Sequence, residues 1–101
     1  MSERTWENTY NLSDAQLEQL ESAETMMERM DLSGAERVLL SMLEADSNCV
    51  PVLSNLGYLY GKHLSEFENA VEYYDRVLEI EPDNARARDA RRRYSRYLNR
   101  D

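Results

Sequence analysis

A chain of 101 residues with 42% hydrophobic and 32% charged side chains is apolar enough to fold as one domain and too short for two, with room for a modest core and no large cavity. Three Gly and two Pro speak against turn-rich β architectures, one Cys excludes an internal disulfide framework, and one His removes most zinc sites. The formal charge of −8 is unevenly spread: residues 1–85 carry 5 basic and 18 acidic side chains, whereas residues 86–101 carry 7 Arg against Asp89 and Asp101, so an acidic body ends in a basic segment.

The first predicted element follows a polar arm, residues 1–12, whose Trp6, Tyr10 and Leu12 are placed to act as an apolar lid, a frayed arm or a self-association surface. Ser13 and Gln16 then form a capping box, with Leu12 stapled onto Leu17. Leu17, Leu20, Ala23, Met27 and Met30 recur at three- and four-residue steps and define one helical stripe. The S-x-x-E box returns at Ser33 and Glu36 to open a second helix with Val38, Leu39, Met42 and Leu43. Pro51 sits in the first turn of a third, where its missing N–H costs nothing, and Leu53, Leu56, Gly57, Leu59 and Tyr60 follow. Ser65 and Glu68 open a fourth, carrying Phe67, Ala70, Val71, Tyr74, Val77 and Leu78. Glu81-Pro82 ends it, because a residue preceding Pro avoids the helical region. The fifth starts at Asp83 or Asn84 and gathers Ala87, Ala90, Tyr94, Tyr97 and Leu98 within about 100° of arc. Strand alternation is absent, and breaks of two to five residues make the helices antiparallel neighbours. No apolar stretch approaches the roughly 18 residues of a membrane span, and Met1–Asn11 has no signal-peptide core. The protein is expected to be soluble and cytoplasmic.

Self-comparison at a fixed offset decides between a bundle and a stacked repeat. A shift of 34 lays Ala23 on Gly57 and Leu43 on Val77; a shift of 35 lays Ala35 on Ala70 and Leu39 on Tyr74. The pattern is a period of 34 with one residue inserted in the turn around Lys62–Glu66. Asn55-Leu56-Gly57, Tyr60, Phe67, Ala70, Tyr74, Val77 and Pro82 resemble the signature of the tetratricopeptide repeat. The likeness is strongest over 50–84, weaker over 13–49, where Ala23, Leu32, Ala35, Leu39 and Met42 hold the matching places and Ser47 replaces the terminal Pro. Residues 85–101 resemble a capping helix. The resemblance implies an all-α fold of five helices, antiparallel hairpins stacked as a short right-handed α-solenoid of two repeats plus a cap.

Catalytic and metal constellations are missing: no phosphate loop, no His-x-x-x-His and no Cys pair. His63 reads as a solvated loop residue and Cys49 as a packed thiol. Glu21, Glu24 and Glu28 share a helical face, which is expected to be solvated rather than to hold a cation. No enzyme activity and no cofactor is expected. Proteins of the resembled family bind a peptide or helix of a partner on the concave face of their first helices. Carried across by position, that face holds Leu20, Glu24, Met27 and Glu28, then Ser54, Asn55, Tyr58 and Lys62, then Arg86, Asp89 and Arg93. A family subtype clamps a partner's terminal carboxylate. Here Asn55 matches it and Arg86 stands in for a Lys, but Leu20, Glu24 and Ala90 break the pattern. The basic patch Arg88, Arg92, Arg96 and Arg100 suggests contact with an acidic partner or another copy of the chain. The net −8 opposes nucleic acid. The expected role is that of an adaptor, scaffold or small chaperone.

Overall fold

The protein, as a computed structural model, is described here over residues 9–98. It is built from α1 (Asp14–Glu28), α2 (Leu32–Ala45), α3 (Val50–Tyr58) running on into a π-helical turn (Leu59–His63), α4 (Phe67–Ile80) and α5 (Ala85–Leu98). No strand occurs among the described residues. Successive helices pack as antiparallel neighbours, α1 on α2, α3 on α4 and α4 on α5, with α2 joined to α3 between the hairpins.

One capping box forms as expected. The Gln16 backbone N–H donates to Ser13 Oγ at 3.1 Å, and the Ser13 N–H donates to Gln16 Oε1 at 2.8 Å. Leu12 is buried beside this start. The boxes expected at Ser33–Glu36 and Ser65–Glu68 do not form. At α2 the cap is Asp31, whose carboxylate accepts from the Gly34 N–H at 3.1 Å; at α4 it is Glu66, with no side-chain bond to the backbone. In both places a left-handed residue, Met30 at φ 64° or Ser65 at φ 55°, reverses the chain. The next residue then becomes the cap, which leaves Ser33 inside the helix and denies Ser65 the extended backbone a capping serine needs. Met30 thereby leaves the α1 stripe and is 63% exposed.

The two reversals also locate the extra residue. After α1 the Asp31 N–H donates to the Met26 carbonyl at 2.8 Å and the Met30 N–H to Met27 at 3.0 Å, a Schellman closure. After α3 the Glu66 N–H reaches Tyr60 at 2.8 Å, spanning six residues against five from Asp31 to Met26, and the Leu64 N–H reaches Leu59 at 3.1 Å, spanning five against four from Arg29 to Thr25. The insertion is therefore wound into the helix as the π turn Leu59–His63 rather than spooled into the loop around Lys62–Glu66. A single π turn is the usual way a helix absorbs one surplus residue.

Small residues set the spacing between helices. Ala23, Ala35 and Ala70 are fully buried. Gly57 lies under the Tyr74 ring so closely that a Cβ there would stand 2.6 Å from Tyr74 Cε2, and Gly61 lies under Tyr94 with 2.5 Å to Cζ. Aromatic rings continue the stack: Tyr60 on Tyr73 at 5.6 Å, Tyr74 on Tyr94 at 6.2 Å, Phe67 on Tyr97 at 4.3 Å. Val77 pairs with Met42 in this register rather than with Leu43, since Val77 and Met42 are the buried pair. The α5 cap is Asn84, whose Oδ1 accepts from the Ala87 N–H at 2.9 Å. Ala87 and Tyr94 are buried and Ala90 half-buried, while Leu98 is exposed and Tyr97, though stacked on Phe67, is 46% exposed. Trp6 lies outside the described residues.

Candidate functional site

α1, α3 and α5 share one side of the stack and enclose an open groove of about 1060 Å³. Eight of the eleven residues expected on the concave face line it: Leu20 and Glu24 from α1, Ser54, Asn55 and Tyr58 from α3, and Arg86, Asp89 and Arg93 from α5. Met27, Glu28 and Lys62 do not. Leu20 lines the groove while only 3% exposed, and Met27, at 5%, belongs to the buried core, so both offer little surface to a partner. Lys62 is carried away by the π turn that begins just after Tyr58.

Tyr58 is the open aromatic that α3 contributes to the groove, 44% exposed and edge-on to His63 at 5.5 Å and 79°. His63 is accordingly a half-buried member of the π turn, not a solvated loop residue. Deeper in the floor, burial pushes the Tyr74 hydroxyl up to about 12, with Arg86 and Arg93 pulling the other way. It stays protonated and able to donate a hydrogen bond across the physiological range.

The two rims differ in charge. On the α1 rim, partial burial holds the Glu24 carboxyl above its ordinary value of 4.5; a hydrogen bond from Asn55 opposes this, and Glu21 and Glu28 add to it. The α5 rim carries Arg86 and Arg93 around Asp89. Because the folded state binds the Glu24 proton more tightly than the unfolded chain, this group favours folding below its unfolded value, and that contribution is lost as pH rises through the raised one. Glu24→Gln is expected to raise the melting temperature at pH 7 relative to the parent and to leave it unchanged near pH 4. Paired melts at the two pH values check this. A larger gain at pH 4 would reverse the sign. Glu21, Glu24 and Glu28 do not assemble into a metal-holding group among the described residues. Cys49, at the α3 cap, is buried, and desolvation raises its thiol despite the Val52 N–H, so it is not an activated nucleophile.

Nine of the residues that line the groove lie outside the expected concave-face set, two of them before α1. Thr9 and Tyr10 form one end wall, and the Tyr10 hydroxyl donates to Glu81 Oε1 at 3.1 Å. Tyr10 is one of the three arm residues placed to act as an apolar lid, and the Leu12–Leu17 staple fixes the direction in which the residues before it leave α1. The α5 arginines divide by direction. Arg86 and Arg93 line the groove, Arg91 pairs with Asp75 of α4, and Arg88, Arg92 and Arg96 are exposed without an ion pair among the described residues. Arg100 lies outside the described residues. No helix here is long and apolar enough to cross a membrane.

No curated protein matches the chain. Residues 50–84, spanning α3, the π turn and α4, match the family model described as Tetratricopeptide repeat. With Gly57 under Tyr74 and Ala70 buried at the hairpin's centre, the segment from Val50 to Asn84, about a third of the chain, has the sequence and the packing of a tetratricopeptide repeat.

Proposed function

We propose that the protein is an interaction module, an adaptor, scaffold or small chaperone, that holds a peptide or helix of another protein in the α1–α3–α5 groove. Tetratricopeptide repeats are in general protein-binding rather than catalytic units. The observation that carries the finer reading is the groove itself, about 1060 Å³ with an exposed tyrosine on its floor and rims of opposite sign. Residues 13–49 serve as the first repeat, 50–84 as the second and 85–101 as the cap.

The chemistry of the walls describes the guest. Tyr58 offers an apolar face with a polar edge, the kind of residue that dominates binding energy when a partner covers it. Arg86 and Arg93 favour a carboxylate on one flank of the guest, and Glu24 with Asn55 favours a donor on the other. Leu20, Glu24 and Ala90 stand where a carboxylate clamp would place its Lys, Asn and Arg, so the acidic group recognised is a side chain within the segment rather than a chain terminus.

The test is a peptide library selected on the immobilised protein, with affinities then measured by fluorescence anisotropy. Tyr58→Ala is expected to weaken selected peptides by about 2 kcal/mol, the scale of an interface hot spot, and Arg93→Glu to weaken those that carry acidic residues. Amide shifts should map to α3 and α5, with far-UV circular dichroism unchanged. Equal affinity for both variants would remove the groove from the reading.

A further inference from the structure

We propose that the outward arginine face of α5 docks on the outward glutamate face of α4 in a second copy of the chain, giving a two-fold dimer independent of the groove. The argument begins with register. At a shift of 35, α5 is the counterpart of α3. The positions by which α3 faces the preceding helices stay apolar, Val52 and Leu59 becoming Ala87 and Tyr94, all buried. The α3 face that receives α4, through Gly57 under Tyr74 and Tyr60 on Tyr73, becomes Arg92 and Ser95, flanked by Arg88 and Arg96. No further helix covers that face among the described residues.

Arg88, Arg92 and Arg96 fall within about 80° of arc at 100° per residue, opposite Ala87 and Tyr94. A face with the shape to seat a helix thus carries a row of cations at one-turn intervals. The same chain presents the complement. Glu68, Glu72, Asp75 and Glu79 lie within about 60° of arc on α4, and Glu68, Glu72 and Glu79 are exposed. Asp75 already takes an α5 arginine, Arg91, within one copy, so the pairing of these two helices by charge is present in the fold itself. An antiparallel approach sets Arg96 beside Glu68 and Arg92 beside Glu72, with Arg88 about one turn from Glu79.

A two-fold axis makes the contact twice, with α5 on the partner's α4 and α4 on the partner's α5. Exposed ion pairs are individually weak and screened by salt. The dimer is therefore expected at high protein concentration and low ionic strength. The exposed ends of Tyr97 and Leu98 add apolar area beside the arginines.

Sedimentation equilibrium at about 1 mM protein tests this, since the Debye length shrinks several-fold between about 50 and 500 mM salt. In the lower salt a mass approaching twice the 11.9 kDa of the chain is expected, falling back to one chain in the higher. Arg88→Glu with Arg92→Glu should give a monomer, as should Glu68→Arg with Glu72→Arg. An equimolar mixture of the two charge-reversed proteins should recover the double mass, and Tyr58→Ala should dimerise like the parent. All these positions are exposed, so helical content serves as the folding control. A parent that stays monomeric in low salt, or a mixture of folded charge-reversed variants that does not recombine, would overturn the proposal. So would a monomeric Tyr58→Ala, which would move the contact into the groove.

Discussion

Tyr94→Ala is expected to cost about 3 to 4 kcal/mol, the range for removing a buried aromatic side chain, and to lower the melting temperature by more than about 10 °C in a domain of this size. The Tyr94 ring is the point at which α5 is fastened. It lies over Gly61, stacks on Phe67 at 6.0 Å and on Tyr74 at 6.2 Å, and is one of only two buried α5 residues among those described. The other, Ala87, has too little area to hold a helix with seven neighbouring charges. Loss of the ring should release α5 before the rest unfolds, so the denaturant slope should fall together with the midpoint. Tyr94→Phe keeps the ring and should stay within about 1 kcal/mol of the parent. A Tyr94→Ala protein with the parental midpoint and slope would show that α5 is held by something else.

Gly57→Leu is the second large effect, and two terms compete in it. Leucine gains up to about 1 kcal/mol of helix propensity over glycine. Against this, even the Cβ would stand 2.6 Å from the Tyr74 ring, and Tyr74 is itself buried between α3 and Tyr94. Overpacking of this kind costs typically 1 to 3 kcal/mol and more where the neighbour cannot withdraw. The clash wins, with a net loss of about 2 kcal/mol and a midpoint about 10 °C lower. A double-mutant cycle separates the terms: with Tyr74→Ala already in place, Gly57→Leu should cost far less, because the space it needs has been vacated. Equal costs in both backgrounds would mean that Gly57 is not the contact that sets the α3–α4 distance.

Much of this architecture was legible in the residues. Periodicity gave five helices, and the offsets of 34 and 35 found both the repeat and its odd residue, since small residues under aromatic rings leave a strict spacing. Cap placement was less legible. Serine boxes at 33 and 65 obey the local rule, yet the caps fall on Asp31 and Glu66, because the chain turns through left-handed Met30 and Ser65, neither of which advertises that backbone as a glycine would. Where position along a helix decides, as at Asn55, Tyr58, Arg86 and Arg93, the expected residues line the groove. Met27 lies in the core and not in the groove, and Leu20 lines the groove while almost fully buried; both sit at a boundary where a rotation of a few tens of degrees changes a side chain's side. Lys62 lies outside the groove because of the π turn, and Tyr10, one of the arm residues placed to act as a lid, is held by a tertiary hydrogen bond with Glu81, 71 residues away, which no local pattern encodes.

That widened turn has a consequence for how the hairpins mesh. An odd residue left in the helix as an ordinary step would rotate everything after it by about 100° and aim Phe67 and Tyr74 away from the rings they touch. Coiled into Leu59–His63 instead, it is taken up as girth, so a unit of 35 gears onto its neighbours with the phase of a unit of 34. The same bulge sets the Gly61 backbone beneath Tyr94, so the irregularity that corrects the count also provides the seat for the closing helix.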